Sequence, residues 1–173
     1  MRRLLNRGLD VDTADPDGMT LLMLAMRHSN EPLARMLLDY KPNVDIRNRF
    51  GETPLMYAAL RGYLEIARRL IEQGAEVNHK GWTSLSYAAT EGRDDMVKFL
   101  LSKGADANAL SDNGTSPLMM AAQGGHIAVV KTLLAVGANP KQKNEAGKTA
   151  MIWAMASKHT DIAALLKAAG ATE

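Results

Sequence analysis

Between Pro54 and Glu72 the apolar positions come in helical rhythm twice, with a glycine between the two runs. Leu55, Ala58 and Ala59 make one small-residue face, and Thr53 stands where a hydroxyl caps a helix while Pro54 fills the first helical position, where a missing N–H costs nothing. The pattern predicts a helix that begins at Pro54 and ends at Gly62 in the left-handed conformation. Ile66, Ala67, Leu70 and Ile71 then recur at helical spacing, with Glu65, Arg68, Arg69 and Glu72 on the opposite face and Gly74 as terminator. From Ala75 to the next Gly-x-Thr the chain reads as an extended loop with a turn at its tip.

This arrangement recurs along the chain. Gly-x-Thr-type glycines fall at Gly18, Gly51, Gly81, Gly114 and Gly147, so the spacings are 33, 30, 33 and 33 residues. A second punctuation follows each helix start, as in Arg61-Gly62, Glu91-Gly92 and Gly124-Gly125. A third appears as Gln73-Gly74-Ala75-Glu76, Lys103-Gly104-Ala105-Asp106, Val136-Gly137-Ala138-Asn139 and Ala169-Gly170-Ala171. A unit of about 33 residues cannot bury its apolar faces alone, so the copies must stack.

Gly51-Glu52-Thr53-Pro54-Leu55-Met56-Tyr57-Ala58-Ala59 and Gly104-Ala105-Asp106-Ala107-Asn108 resemble the ankyrin repeat. The resemblance implies an all-α fold: an ankyrin repeat solenoid of helix-turn-helix units with β-hairpin-like fingers. Five complete repeats (15–47, 48–77, 78–110, 111–143 and 144–173) follow a partial repeat at 1–14, the whole forming a single domain over 1–173. The family usually has a histidine after Thr-Pro-Leu that ties neighbouring loops. Here Met23, Met56, Ser86, Met119 and Ile152 stand there, which implies a weaker polar network or none. Ser29 replaces an interhelix glycine and Lys41-Pro42-Asn43 replaces Gly-Ala-Asp, so both turns of the first copy are expected to rearrange. Three residues are missing between Asn78 and Gly81, which predicts a stunted finger. The start in mid-repeat fits a fragment, an irregular cap or an end that docks on something; the expectation is a fragment with some apolar helix surface exposed.

Composition narrows the chemistry. The 173 residues contain no cysteine, which removes thiolate nucleophiles, disulfides and Cys-ligated metals. Lys and Arg number 21 against 19 Asp and Glu, interleaved, so the strong positive field of a nucleic-acid binder is missing. No apolar run approaches the roughly 20 residues a membrane-spanning helix needs. His28, His79, His126 and His159 show no short metal-binding spacing, and His126 and His159 occupy equivalent places where a structural role is expected. Asp94 and Asp95 are adjacent on a helix and do not face each other; a first-turn acidic pair suits the helix dipole. Asn113-Gly114-Thr115 matches a glycosylation sequon, but Asn-Gly is also the turn dipeptide expected at a hairpin tip. Met23, Met36, Met56, Met96, Met119 and Met151 fall on core-facing places. No catalytic constellation, phosphate loop, metal site or cofactor site is found, so the chain is expected not to be an enzyme.

What remains is surface. The resemblance implies that a partner protein is held on a concave face of finger tips and first helices, with Arg47, Arg49, Phe50, Glu52, Arg61, Trp82, Glu91, Asp112 and Gln123 as partner-binding residues. Met19, Arg27, His28, Leu60, Thr90, Asn113, Thr115, Glu145 and Lys148 belong to the same set of places. Phe50 flanked by Arg47, Arg49 and Arg61, with Trp82 in the next copy, has the aromatic and arginine content of an interface hot spot. Its partner would be acidic with an apolar anchor; the alternative is that Trp82 covers the helix beneath it and the arginines are simply solvated. The expected role is a protein-binding adaptor or scaffold, monomeric, without nucleic acid or membrane insertion. Two further readings stay open: a targeting part of a larger protein, or an exported protein like some small bacterial ankyrin proteins. Cytoplasm is the default location, and the periplasm applies if an export signal lies upstream of Met1.

Overall fold

A computed structural model describes residues 1–171, and among them it contains eleven α-helices and no strand. Five of the helices belong to a first compact unit, Met1–Glu76: α1 (Arg2–Leu5), α2 (Leu21–Arg27), α3 (Glu31–Leu38), α4 (Pro54–Arg61) and α5 (Leu64–Glu72). The second unit runs from Val77 and holds α6 (Ser84–Thr90), α7 (Asp94–Ser102), α8 (Pro117–Gln123), α9 (Ile127–Ala135), α10 (Ala150–Ala156) and α11 (Thr160–Ala168). In the first, α2 packs on α3 and α4, and α5 on α3 and α4; in the second, first helices α6, α8 and α10 form a row, with α7 and α9 packed behind.

Each first helix starts the same way. Thr20, Thr53, Thr83, Ser116 and Thr149 are extended residues whose hydroxyl oxygens accept the N–H three residues on, at 3.2–3.4 Å. That satisfies one of the donors a helix start leaves orphaned. Pro54 and Pro117 then sit at the first helical position. The alanine pairs Ala58-Ala59, Ala88-Ala89 and Ala121-Ala122 are wholly buried, so helices can approach closely without a side chain between them. Behind them the second helices bury Ile66, Ala67 and Leu70, Met96, Val97 and Leu100, and Val129, Val130 and Leu133. Ile71, expected on the same face, is only half-buried. Of the six methionines expected in the core, all but the half-buried Met36 are buried.

The fingers are closed turns rather than paired strands. At Asp15, Asn48, Ser111 and Asn144 the carbonyl accepts from the glycine three residues on, and the N–H donates to the carbonyl four residues on, all at 2.8–3.1 Å. The side chain of that first residue accepts again inside the turn: Asn48 Oδ1 takes the N–H of Phe50 and of Glu52, both at 2.9 Å. Gly114 shows why the tip needs glycine, because its φ is +75° and a Cβ there would meet the Asn144 backbone at 3.2 Å. The segment before Gly81, three residues shorter, has only bends and lacks this double closure, so that finger is stunted as its length predicts.

Two expectations about the first copy need correction. Ser29 replaces a glycine and keeps its turn by adopting φ of +57° itself; Lys41 likewise takes φ of +52°, but its turn loses one closing bond, because Pro42 has no N–H to offer where Ala75 donates to Leu70 O. Asn30 N–H reaches Ala25 O at 2.7 Å, just as Tyr63 N–H reaches Ala58 O at 2.9 Å. The helices packed on either side dictate the turn, and the side chains accept the strain. The loops are also tied together, without the histidine network. Asp12 accepts the Asn43 N–H at 2.9 Å and Asp45 that of Glu76 at 3.0 Å. In the second unit Asn78 accepts from Asp106 at 3.0 Å and Asn108 from Asn139 at 2.8 Å. This ladder uses the Asp or Asn that is the third residue after the Gly-Ala pair or its equivalent, at Asp12, Asp45, Asn78 and Asn108; Lys141 takes that place in the fourth complete copy.

Candidate functional site

The finger turn at Asn48 pushes Phe50 outward, and its ring is 66% exposed. Arg49 lies across that ring, its guanidinium carbon 4.6 Å from the centroid, and is held there by Asp17, whose Oδ1 is 2.7 Å from Nη1. The Arg49 N–H also donates to Asp17 O at 2.9 Å, so two adjacent fingers of the first unit are pinned together under the aromatic ring. Arg47 is exposed and reaches Glu76 at 4.0 Å. An exposed phenyl ring with an arginine across one of its faces presents apolar surface and positive charge side by side.

Glu52 and Arg61, from the same set, are engaged inside the fold. Glu52 Oε2 accepts from Asn48 Nδ2 at 2.7 Å and from the Tyr57 hydroxyl at 2.5 Å. Burial, then the hydrogen bond and charge of Glu52, push the Tyr57 phenol well above its ordinary value. Arg61 is half-buried and donates through Nη2 to the carbonyl of Arg27 at the end of α2. Met19 was expected on the surface and is instead 1% exposed; its sulfur accepts from Asn48 Nδ2 at 3.1 Å and lies 3.3 Å from Tyr57 Oη, whose proton goes to Glu52. Thr115 is likewise buried. Met19 is covered by Asn48 and Tyr57 of the next copy, which linear position alone does not reveal.

In the second unit Trp82 is 38% exposed and its ring packs on Tyr87 of α6, centroids 5.5 Å apart and planes inclined by 50°. It therefore covers the helix below and keeps an outer edge in solvent. Glu91 and Gln123 are exposed at the ends of α6 and α8, and Asp112 is exposed on its finger, with its carboxylate beside Gly81. A cleft of about 250 Å³ opens next to Gln123, floored by Ile152 and Trp153 and bordered by Lys148. Neither Trp153 nor the cleft was singled out from the sequence, although an aromatic residue six places after the finger glycine, as at Tyr57 and Tyr87, was a readable signal.

The acidic pair and two of the histidines make contacts within the fold. Asp94 does not pair with Asp95; it meets Lys98 at 2.6 Å and the Thr132 hydroxyl at 2.7 Å. Burial alone would raise its carboxyl, but those two hydrogen bonds together hold it below the usual carboxylate range. His126 Nε2 lies 2.9 Å from Thr90 O, and its ring fills the space beside Gly92 and Gly124. The His159 ring does the same beside Gly125. Among the described residues no group of three or more His, Cys, Asp or Glu could hold a metal, and no helix is long and apolar enough to cross a membrane.

The family model for ankyrin repeats (3 copies) matches residues 1–81, 41–111 and 85–172, which together cover nearly the whole chain. The chain belongs to the ankyrin repeat family. As an ankyrin repeat protein it shares the general character of these repeats, which are modules for binding other proteins. It is 44% identical over 59 residues to the ankyrin repeat and KH domain-containing protein mask of Drosophila melanogaster, a match covering 34% of this chain and 2% of that protein. A putative ankyrin repeat protein of Rickettsia bellii is 39% identical over 61 residues, covering 35% and 10%. The mouse protein phosphatase 1 regulatory subunit 27 is 36% identical over 70 residues, covering 40% and 46%. The aligned segment is thus a small part of the first two of these relatives and under half of the third.

Proposed function

We propose that this ankyrin repeat protein is a non-catalytic adaptor or scaffold that binds another protein through the face built from finger turns and first helices. Its partner offers an acidic segment with an apolar anchor. The observation that carries this reading is the Arg49–Phe50 pair, an exposed aromatic ring with its arginine locked by Asp17. Because that geometry is already set by folding, capture loses less side-chain freedom than it would on a mobile surface. A standard interface takes about 800 Å² from each partner, within the compass of a few repeats.

The test is affinity capture from native lysate with the wild-type chain and the double variant Arg49→Ser, Phe50→Ser, followed by identification of what is retained. Arg61 is left intact because its bond to Arg27 belongs to the fold. Loss of the retained protein, with thermal unfolding shifted by no more than about 0.5 kcal/mol, supports the reading. Equal capture by the double variant removes Phe50 from it. A second reading, that the chain is the targeting part of a larger protein, is favoured by its match to only 2% of a relative whose name includes a KH domain. The intact mass of the natural product tests it.

A further inference from the structure

The cleft between the ends of α8 and α10 in the second unit is lined by Gln123, Lys148, Ile152, Trp153, Ala156 and Ser157. Ile152, Ala156 and the Trp153 ring supply apolar surface. Among the polar groups the Ser157 hydroxyl can donate or accept, and the rest lean towards donating. The Lys148 ammonium and the Trp153 indole N–H can only donate hydrogen bonds, and the Gln123 amide contributes two more donors beside one acceptor. None of these three side chains makes a hydrogen bond or ion pair within the described chain. Lys148 is the one charged residue in the lining.

Register sharpens the point. The residue just after the finger glycine and the one five places further along meet in two of the copies. Glu52 and Tyr57 satisfy one another with a hydrogen bond, and Trp82 and Tyr87 with a ring contact. Lys148 and Trp153 occupy the same two places, and both line the cleft. A lining that sets a cation and several donors beside apolar side chains matches an apolar group with a carboxylate close by. At about 250 Å³ the space falls below the roughly 300–1,000 Å³ of small-molecule pockets and suits one side chain of a polypeptide.

We propose that this cleft receives a single bulky apolar side chain of a partner polypeptide, with an adjacent Asp or Glu carboxylate held by Lys148 and the Trp153 indole N–H. This deepens the protein-binding reading and rests on it, while naming an anchor point separate in sequence from Phe50. Trp153 supplies stacking area, Lys148 selects charge, and Gln123 bridges the backbone of the bound segment.

The chain's two tryptophans give a direct readout. In ¹⁵N-labelled protein, with the indole signals assigned through Trp82→Phe, a short acetylated Gly-Phe-Asp-Gly amide peptide is titrated to millimolar concentration. The expected result is a saturable shift of the Trp153 indole signal with Trp82 unmoved. The Asn counterpart of the peptide, and the aspartyl peptide against Lys148→Glu, are each expected to bind about threefold more weakly or worse, the scale of a solvent-facing ion pair. Lys148→Met gives the same comparison should the amide spectrum of Lys148→Glu depart from wild type. An unmoved Trp153, equal affinity for the two peptides, or tighter binding of free phenylacetate than of the peptide overturns the proposal. Partner capture that survives Lys148→Glu but not the Arg49, Phe50 double change would sink the cleft alone, leaving the adaptor reading intact.

Discussion

Ser29, Lys41 and Lys158 each hold a positive φ, at 57°, 52° and 65°, where sister copies carry glycine. A side chain in that conformation costs about 1–2 kcal/mol, only part of which glycine regains because it also loosens the unfolded chain. Ser29→Gly and Lys41→Gly are therefore each expected to stabilise the protein by about 0.5–1 kcal/mol, seen as a higher midpoint in thermal unfolding; a lower midpoint contradicts the strain argument. The reverse case is Gly92, where φ is +64° and a Cβ would lie 2.4 Å from His126 Nδ1. Gly92→Ala should cost about 1–3 kcal/mol in denaturant unfolding, since it adds strain and displaces the ring that caps Thr90. At this scale the sequence was legible where one residue acts through its own type, as with the capping threonines and the buried methionines. It was not legible where a neighbour brought from elsewhere decides the outcome. Met19 is buried because the finger of the next copy closes on it, and Glu52 is engaged because one helical turn brings Tyr57 beneath it.

Elements join through bonds that the apolar periodicity does not announce. The Asp and Asn ladder lies in loops, where no helical rhythm marks it, and its signal was a side-chain acceptor at the same offset at Asp12, Asp45, Asn78 and Asn108. Asp45→Ala leaves the Glu76 N–H to water, so a modest loss of about 0.5–1.5 kcal/mol is expected. The more specific outcome is faster hydrogen exchange at Glu76 with little change in the α4 core; unchanged exchange there would show that the rung carries no load. The α7–α9 pair has its own tie, Thr132 to Asp94. Because the Asp94 carboxyl titrates below its unfolded value, its contribution is complete above the ordinary carboxylate range and is lost as pH falls through the lowered pKa. Thr132→Val removes one of the hydrogen bonds that hold it down, so the Asp94 titration followed by carboxyl ¹³C NMR should move upward. A midpoint that stays in place would assign the depression to Lys98 alone. The helices themselves were readable from spacing and caps; the ties between them depend on which loop atoms come within 3 Å, a distance that sequence offset does not encode.

For the molecule as a whole, stability in stacked repeats is close to a sum over neighbours, so position in the row decides what a cavity does. Leu100 and Leu166 occupy equivalent places on α7 and α11, and both are wholly buried. Helix α7 packs on α6 and on α9, whereas α11 packs chiefly on α10. Truncation to alanine removes similar contacts in the two cases, worth about 2–5 kcal/mol by the usual scale for a buried leucine. The consequences should nevertheless differ in extent. In Leu166→Ala the loss is absorbed by opening of α11, whose contacts are chiefly with α10, so native-state hydrogen exchange is expected to rise in α11 and to stay near wild type in α6 through α9. In Leu100→Ala the weakened helix has neighbours on both sides, and exchange should rise across α6, α7 and α9 together. Equal, uniform acceleration in both variants would mean that the second unit opens as one cooperative body rather than as a row of coupled pairs. That distinction bears on function: a face that recognises a partner keeps its spacing only if local opening of one helix leaves the fingers of the other copies undisturbed.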